Sequence, residues 1–176
     1  MSNRECAVAL GGIGAGFLLA YLWNRRCEFQ AAEPLRVVKA FFKAQDARDL
    51  SGMCSLVDNN ILYINEPHPS SRHICGRHAF QAAFANSPCI WAEDARLEIL
   101  NIAYNPMTRV VFVERLDQYL IQGKWLKIPI SGFLEITKQG KIAKWKDYFC
   151  YKKYKEQTIK LFGKGFSLFK QKKSSN

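Results

Sequence analysis

The segment Lys141–Phe149, with the sequence KIAKWKDYF, has the polar–apolar alternation of a half-buried β-strand. Successive side chains of a strand point to opposite faces of the sheet, so Asp147 faces the same way as its aromatic neighbours Trp145 and Phe149, and Lys144 and Lys146 face the other way. The face with Asp147 carries Ala143, Trp145, Asp147 and Phe149, and the opposite face carries Ile142, Lys144, Lys146 and Tyr148. A carboxylate is rarely buried among aromatic side chains unless it is paired. The segment therefore predicts a strand that buries one acidic group with a partner.

A second segment, RVVFVERLDQYL at residues 109–120, alternates in the same way. Its apolar face carries Val111, Val113, Arg115, Asp117 and Tyr119. Two carboxylates and one arginine are thus predicted to converge between apolar walls. Sites whose surroundings push the pKa values of two carboxyl groups apart are candidates for acid–base chemistry.

Further β-like stretches and helical patterns lie around these two segments. The chain has four β-like stretches, at roughly 93–104, 109–122, 125–137 and 141–149, separated by turn-forming residues. Before them the periodicity predicts a helix from Pro34, a short helix from Asp49 to Val57, a strand from Asn60 to Asn65 and a helix from about Gly76 to Ala85. Helices followed by an antiparallel meander are typical of the α+β class. We therefore expect a curved mixed or antiparallel sheet with helices on one face.

Composition predicts one folded domain and argues against a nucleic-acid partner. The 176 residues are 48% hydrophobic and include four tryptophans, which is enough for a real core. Of the net charge of +11, +7 lies in residues 152–176, where eight lysines accompany the single acid Glu156. No nucleic-acid-binding motif accompanies this charge, so we expect no such partner.

The cysteines and histidines predict no metal site and no disulfide framework. The six cysteines have neither a CxxC motif nor regular spacing, which favours a reducing, cytosol-facing environment. His68, His73 and His78 are spaced by five, and no helix or strand would place all three on one face. A solvated loop is the expected structure there.

The amino-terminal run Cys6–Trp23 contains 18 residues and no charge. A helix of this length spans about 27 Å, which is adequate for one bilayer crossing. Tyr21 and Trp23, followed by two arginines, resemble an interfacial belt and a charge anchor. A cleaved signal peptide is the alternative, but the nearly neutral amino end disfavours it. We therefore predict an apolar anchor helix in the endoplasmic reticulum or another intracellular membrane, with the body in the cytosol.

The expected organisation is a membrane anchor and linker at 1–30, a folded domain at 31–155 and a basic tail at 156–176. The tail mixes lysines with aliphatic and aromatic residues, and glycines at 163 and 165 weaken a continuous helix. Docking on an anionic membrane and a solvated extension are equally consistent with this composition.

From about Pro34 to Tyr154, the chain resembles the limonene epoxide hydrolases of the ketosteroid isomerase and SnoaL-like superfamily of cone-shaped α+β folds. The resemblance is carried by LYINEP at 62–67, Gly76 and the helix after it, VERLD at 113–117, ISGFLEI at 130–136 and KIAKWKDYF at 141–149. It implies a cofactor-independent hydrolase that adds water to a small lipophilic epoxide in one step and releases a diol. It also implies a homodimer, because dimerisation through the sheet is common in this superfamily.

The resemblance implies a role for each of five polar residues. Asp147 would be the general base that takes a proton from a water held by Tyr63 and Asn65. Asp117 would be the general acid that protonates the epoxide oxygen, and Arg115 would bridge the two carboxyl groups. Neither a metal nor an organic cofactor is implied.

Three alternatives stay open at this point. The same cone could hold an isomerase or cyclase, or a non-catalytic lipid-binding module, since one fold hosts many functions. The Arg-x-Asp pair at 115–117 could be a purely structural ion pair. The apolar candidates for the pocket lining could equally be plain core; they are Phe80, Phe84, Leu97, Ile130 and Phe133.

Overall fold

A computed structural model of the chain describes residue 21 and residues 33–66, 73–166 and 168. In chain order the elements are α1 (33–46), α2 (Leu50–Leu56), β1 (Val57–Glu66), β2 (Ile74–Cys75), α3 (Arg77–Ala85), α4 (Pro88–Trp91), β3 (Asp94–Asn105), β4 (Val110–Ile121), β5 (Lys124–Ile136), β6 (Ile142–Tyr148) and α5 (Tyr151–Phe162). Apart from Tyr21, the predicted anchor helix lies outside the described residues. Within the described ranges, no helix is both long and apolar enough to cross a membrane.

The strands form one mixed sheet in the order β2-β1-β6-β5-β4-β3. Strands β3 to β6 make the predicted antiparallel meander, and β1 joins it by pairing parallel to β6. The turn between β4 and β5 consists of Gln122 and Gly123, both with positive φ (51° and 68°), as a tight two-residue hairpin turn requires. The predicted α+β class and mixed sheet are confirmed.

The alternation predicted for β4 is confirmed over its whole apolar face, whereas the alternation predicted for β6 fails at its first residue. Trp145 and Asp147 are buried as expected, but Ile142 is also fully buried instead of lying with the lysines. The pairing of β5 with β6 is irregular between Glu135 and Ile136, so the parity changes there. One irregularity thus adds an apolar side chain to the core at the start of β6.

An aromatic cluster joins the helices to the sheet. On α1, Val38, Phe41, Phe42 and Gln45 are buried at helical spacing. Phe41 and Phe42 pack edge-on against Trp145 of β6, with ring centroids 5.0 and 6.0 Å apart. The end of α1 is attached to β3, because Asp46 accepts a hydrogen bond of 2.7 Å from the Leu97 backbone N–H. This attachment places Gln45 at the inner face of the sheet.

The predicted helices at 49–57 and 76–85 are confirmed, whereas β2, α4 and α5 add to the predicted set. The helix α5 crosses the expected border between residues 155 and 156 and covers the first third of the basic tail. Thr158, which belongs to this helix, is buried. Lys124 Nζ donates a hydrogen bond of 2.7 Å to the Leu161 carbonyl near the carboxyl end of the helix. The helix ends at Gly163, whose φ of 88° suits a residue without Cβ, consistent with the predicted weakening there.

Candidate active site

The five predicted site residues come from three strands and meet at one end of the inner face. Tyr63 and Asn65 of β1 lie beside Trp145 and Asp147 of β6, because the parallel register pairs them in that order. Arg115 and Asp117 lie on β4, which is separated from β6 by β5. Arg115 must therefore reach across β5 to contact the carboxylate of β6.

Arg115 connects the two carboxyl groups with three hydrogen bonds. Its Nε donates to Asp117 Oδ1 at 3.0 Å, while Nη1 and Nη2 donate to the two oxygens of Asp147 at 2.8 and 2.7 Å. Trp145 Nε1 donates a fourth bond of 2.7 Å to Asp147 Oδ1. The three ionisable side chains are 1–4% exposed. A two-pronged contact of this kind fixes the carboxylate plane as well as its position.

Gly132 of β5 lies directly opposite Asp147 in the sheet. It pairs with Val113 of β4 on one side and with Asp147 of β6 on the other. A Cβ atom at this position would collide with Asp147 Oδ1 and would lie 2.6 Å from the Lys146 carbonyl oxygen. The absence of a side chain at residue 132 therefore lets Asp147 lie close to β5.

Asp117 is the carboxyl group whose surroundings favour the protonated form. Burial raises its pKa above the ordinary value, and the nearby Asp147 acts in the same direction, while Arg115 and the Tyr119 hydroxyl oppose the shift. Tyr119 donates to Asp117 Oδ2 at 3.3 Å, so the two oxygens of Asp117 have different partners. Asp147, by contrast, accepts three N–H bonds, and each of them requires a lone pair.

Asn65 and Tyr63 present polar atoms next to Asp147. Asn65 Oδ1 is buried, and no hydrogen-bond donor of the described residues reaches it. The Tyr63 ring packs on Trp145 with centroids 4.6 Å apart. Burial is the main cause that raises the pKa of Tyr63 well above its usual range, so its hydroxyl keeps its proton at neutral pH. A buried acceptor without a partner costs free energy, so this position favours a ligand that donates a hydrogen bond.

All five residues line one cavity of about 140 Å³. Its other lining residues are Gln45, Ile74, Ala83, Phe84, Ser87, Pro88, Cys89, Tyr119, Ile128, Ile130, Trp145, Phe149, Tyr154 and Leu168. Among the apolar candidates from the sequence, Phe84 and Ile130 line this cavity. Phe80 is buried in the core, where it stacks on Phe84 at 4.2 Å, and Phe133 packs with Phe112. The walls are thus mainly apolar, and the polar groups are grouped around the carboxyl pair.

The structure adds polar lining residues that the sequence did not single out. The sequence pattern could have indicated Tyr119, since it follows Asp117 by two residues and therefore lies on the same face of the strand. Gln45 had a weaker signal, a polar residue within the apolar stripe of α1. Cys89 and Ser87 had none, because α4 was not predicted. Burial raises the pKa of Cys89 to about 11, so it is a neutral thiol hydrogen-bonded to Ser87.

In the described ranges, no group of three or more His, Cys, Asp and Glu side chains is arranged so that it could hold a metal ion. His68 lies outside the described residues. Every cysteine in the described ranges is a free thiol; they are Cys54, Cys75, Cys89 and Cys150.

The fold and the site define a cone-like α+β protein with a buried Asp–Arg–Asp cluster at the base of an apolar cavity. Residues 32–160 match the family model described as the limonene-1,2-epoxide hydrolase catalytic domain, and the chain belongs to this family. No curated protein sequence matches the chain.

Solved structures with the same fold have low sequence identity to this chain. An M. tuberculosis LEH-like epoxide hydrolase is 20% identical with a TM-score of 0.63, over 74% of this chain and 92% of that one. SalBIII, described as an epoxide hydrolase/cyclase-like enzyme in pyran ring formation, is 16% identical with a TM-score of 0.61, over 69% and 93%. A protein from Xanthomonas campestris, described as a polyketide cyclase by assignment, is 17% identical with a TM-score of 0.59, over 73% of this chain and 98% of that one. At these identities the likeness is one of fold.

Proposed function

We propose that this protein is an epoxide hydrolase that adds water to a lipophilic epoxide and releases a diol. The observation that carries the proposal is the pair of buried carboxyl groups on one arginine, with the Asn65 acceptor beside Asp147. Two carboxyl groups that share one proton supply a proton acceptor and a proton donor at the same pH, and burial, which raises the pKa of Asp117, favours Asp117 as the donor.

In the proposed step, Asp147 takes a proton from water while the water oxygen attacks an epoxide carbon. Asp147 Oδ1 already accepts two hydrogen bonds and Oδ2 only one, so Oδ2 has the free lone pair for this proton. Asn65 Oδ1 accepts a hydrogen bond from the second O–H of this water, whose proton stays on the oxygen as part of the new hydroxyl group, and the Tyr63 hydroxyl holds the water in place. Attack by a positioned water is faster than attack from bulk solvent, since its orientation is already set.

On the other side of the epoxide, Asp117 donates its proton to the oxygen as the carbon–oxygen bond breaks. Its Oδ1 accepts a hydrogen bond from the Arg115 guanidinium, which has no lone pair to accept one in return. The acidic proton therefore belongs on Oδ2. After the step Asp147 carries a proton and Asp117 is ionised. One proton must then return to Asp117 before the next turnover.

The apolar cavity walls support a lipophilic substrate, and the two ends of the chain suggest that the protein binds this substrate at a membrane. We propose that the run Cys6–Trp23 anchors the protein in an intracellular membrane, with the domain in the cytosol. Exposed lysines of α5, at 152, 153, 155 and 160, give the surface of the domain positive charge that suits an anionic membrane. Lipophilic epoxides partition into bilayers, so anchoring would raise their local concentration.

A cyclase is the second candidate, and the observation that favours it is the fold shared with SalBIII. In that reaction a hydroxyl group of the substrate itself, instead of water, would attack the epoxide and close a ring. The same acid and base would act. The product then contains no oxygen from solvent, which separates the two reactions.

The deciding experiment is turnover of a terpene, a fatty-acid and a steroid epoxide in water enriched in heavy oxygen. The variants are Asp147→Asn and Asp117→Asn, with Glu114→Gln as control, because Glu114 lies on the opposite, exposed face of β4. We expect labelled diol from the wild type and the control, and a loss of at least about 100-fold in kcat for each aspartate variant. An unlabelled cyclic ether, formed from an epoxide of the same classes that also carries a hydroxyl group, would indicate the cyclase. Undiminished diol from either aspartate variant would exclude these roles.

A further inference from the structure

Gln45 places an unpaired carboxamide oxygen at the acid end of the cavity. It is 4% exposed, it lines the cavity beside Asp117, Tyr119 and Cys89, and no donor of the described residues reaches its Oε1 atom. The residue is held there because the end of α1 is attached to β3 through Asp46. A buried amide oxygen of this kind needs a hydrogen-bond donor from whatever fills the cavity.

The neighbouring polar side chains cannot supply that donor, because each already uses its proton. The Tyr119 hydroxyl donates to Asp117 Oδ2. Ser87 Oγ donates to the Phe84 carbonyl, and the Cys89 thiol then donates to Ser87 Oγ. A ligand whose hydroxyl group reaches Oε1 would therefore supply the hydrogen bond that this oxygen lacks in the free protein.

We propose that the substrate is an epoxide that also carries a hydroxyl group, and that Gln45 Oε1 accepts a hydrogen bond from this hydroxyl. The inference rests on the proposed function and narrows its substrate class. A neutral donor fits better than an ammonium group, because Arg115 is already hydrogen-bonded to both carboxyl groups and a second buried cation would lack an ionic partner of its own. The hydroxyl lies on the side where the epoxide oxygen meets Asp117, since Gln45 and Asp117 line the same end of the cavity.

The position of this subsite separates two uses of a substrate hydroxyl. The nucleophile must approach from the side of Asp147 and Asn65, whereas Gln45 lies at the side of Asp117. A hydroxyl bound to Gln45 therefore selects the substrate and does not attack the epoxide. The expected product is a triol that contains one oxygen from solvent.

The test compares two epoxides with the same carbon skeleton, one with a hydroxyl on a carbon next to the ring and one without. We expect the wild type to favour the hydroxylated epoxide by about 10- to 100-fold in kcat/KM, as one buried hydrogen bond would give. In Gln45→Met and Gln45→Leu this ratio should fall towards one. Gln118→Leu is the matched control, because Gln118 lies on β4 with its side chain on the face opposite Asp117, and it should keep the ratio.

Binding is measured in parallel, by calorimetry, with unreactive five-membered cyclic ethers that differ only by the hydroxyl. Preferential binding that Gln45→Met abolishes would support the subsite even if neither epoxide were turned over, in which case the hydrolase assignment alone would fail. Equal kcat/KM values and equal affinities in the wild type would overturn the inference. A preference that persists in both Gln45 variants would overturn the role of Gln45.

Discussion

Replacing Gly132 by alanine tests whether the site depends on the close approach of Asp147 to β5. The added Cβ would collide with Asp147 Oδ1 and with the Lys146 carbonyl, and the carbonyl is backbone that cannot turn away. Overpacking of this kind costs about 1–3 kcal/mol, while exchanging glycine for alanine in a strand returns about 0.5–1 kcal/mol. We therefore expect a net loss of about 1–2 kcal/mol, or about 2–8 °C in Tm for a chain of this size.

The larger effect of Gly132→Ala should be on turnover. Asp147 would have to move away from β5 and would change its contacts with Arg115 and Asn65. A displacement of about 1 Å in a catalytic group can cost about 100-fold in rate, and the loss should appear in kcat because Asp147 acts on water. Steady-state kinetics on a hydrolysed epoxide and thermal unfolding measure the two effects separately.

Ser131→Ala is the control for Gly132→Ala, because Ser131 is the preceding residue of β5 and is exposed on the other face. It should leave both kcat and Tm near the wild-type values. If Gly132→Ala also kept the wild-type kcat and Tm, the close approach would not position Asp147, and the reasoning above would be wrong.

Three further predictions concern pH dependence, stability and assembly. In Tyr119→Phe, Asp117 loses a donor that lowers its pKa, so its pKa rises further; the protonated acid then persists to higher pH, and the alkaline limb of the kcat/KM profile should move up. An alkaline limb that stayed in place would argue against Asp117 as the acid. Gln45→Met removes a buried acceptor without a partner, so it should raise the free energy of unfolding by about 1 kcal/mol in denaturant titrations; a loss of stability would mean that Oε1 is satisfied in the free protein. Phe112 is 50% exposed on the outer sheet face, so Phe112→Glu should convert the expected homodimer to monomer in light-scattering measurements, and Glu114→Gln should not.

Much of the fold could be predicted because it follows from local periodicity. Each of the four meander strands was placed to within one or two residues, since alternation and turn-forming residues both mark its ends. The helices at 50–56 and 77–85 had similar signals, including Asp49, which caps the first of them by accepting from the Gly52 N–H. The short elements β2 and α4 were missed, because two to four residues are too few to show a period.

The sequence also predicted which site residues share a face, but not how the faces meet. Arg115 and Asp117 had to point the same way, as did Trp145 and Asp147, since residues two apart in a strand do so. The alternation failed at Ile142, because a local irregularity of pairing depends on the partner strand and leaves no pattern in its own residues.

By itself the sequence determined the strands, the inward side chains of the carboxyl pair and the family to which the chain belongs. The tertiary structure decided that β1 lies parallel to β6, which brings Asn65 next to Asp147, and that Arg115 reaches across β5 to a carboxylate 32 residues away. It also decided that Gln45, a polar residue within the apolar stripe of α1, lines the cavity. The physical reason is that periodicity sets the direction of a side chain relative to its own backbone. Which distant groups it meets depends on strand order, register and burial, and these are properties of the whole fold.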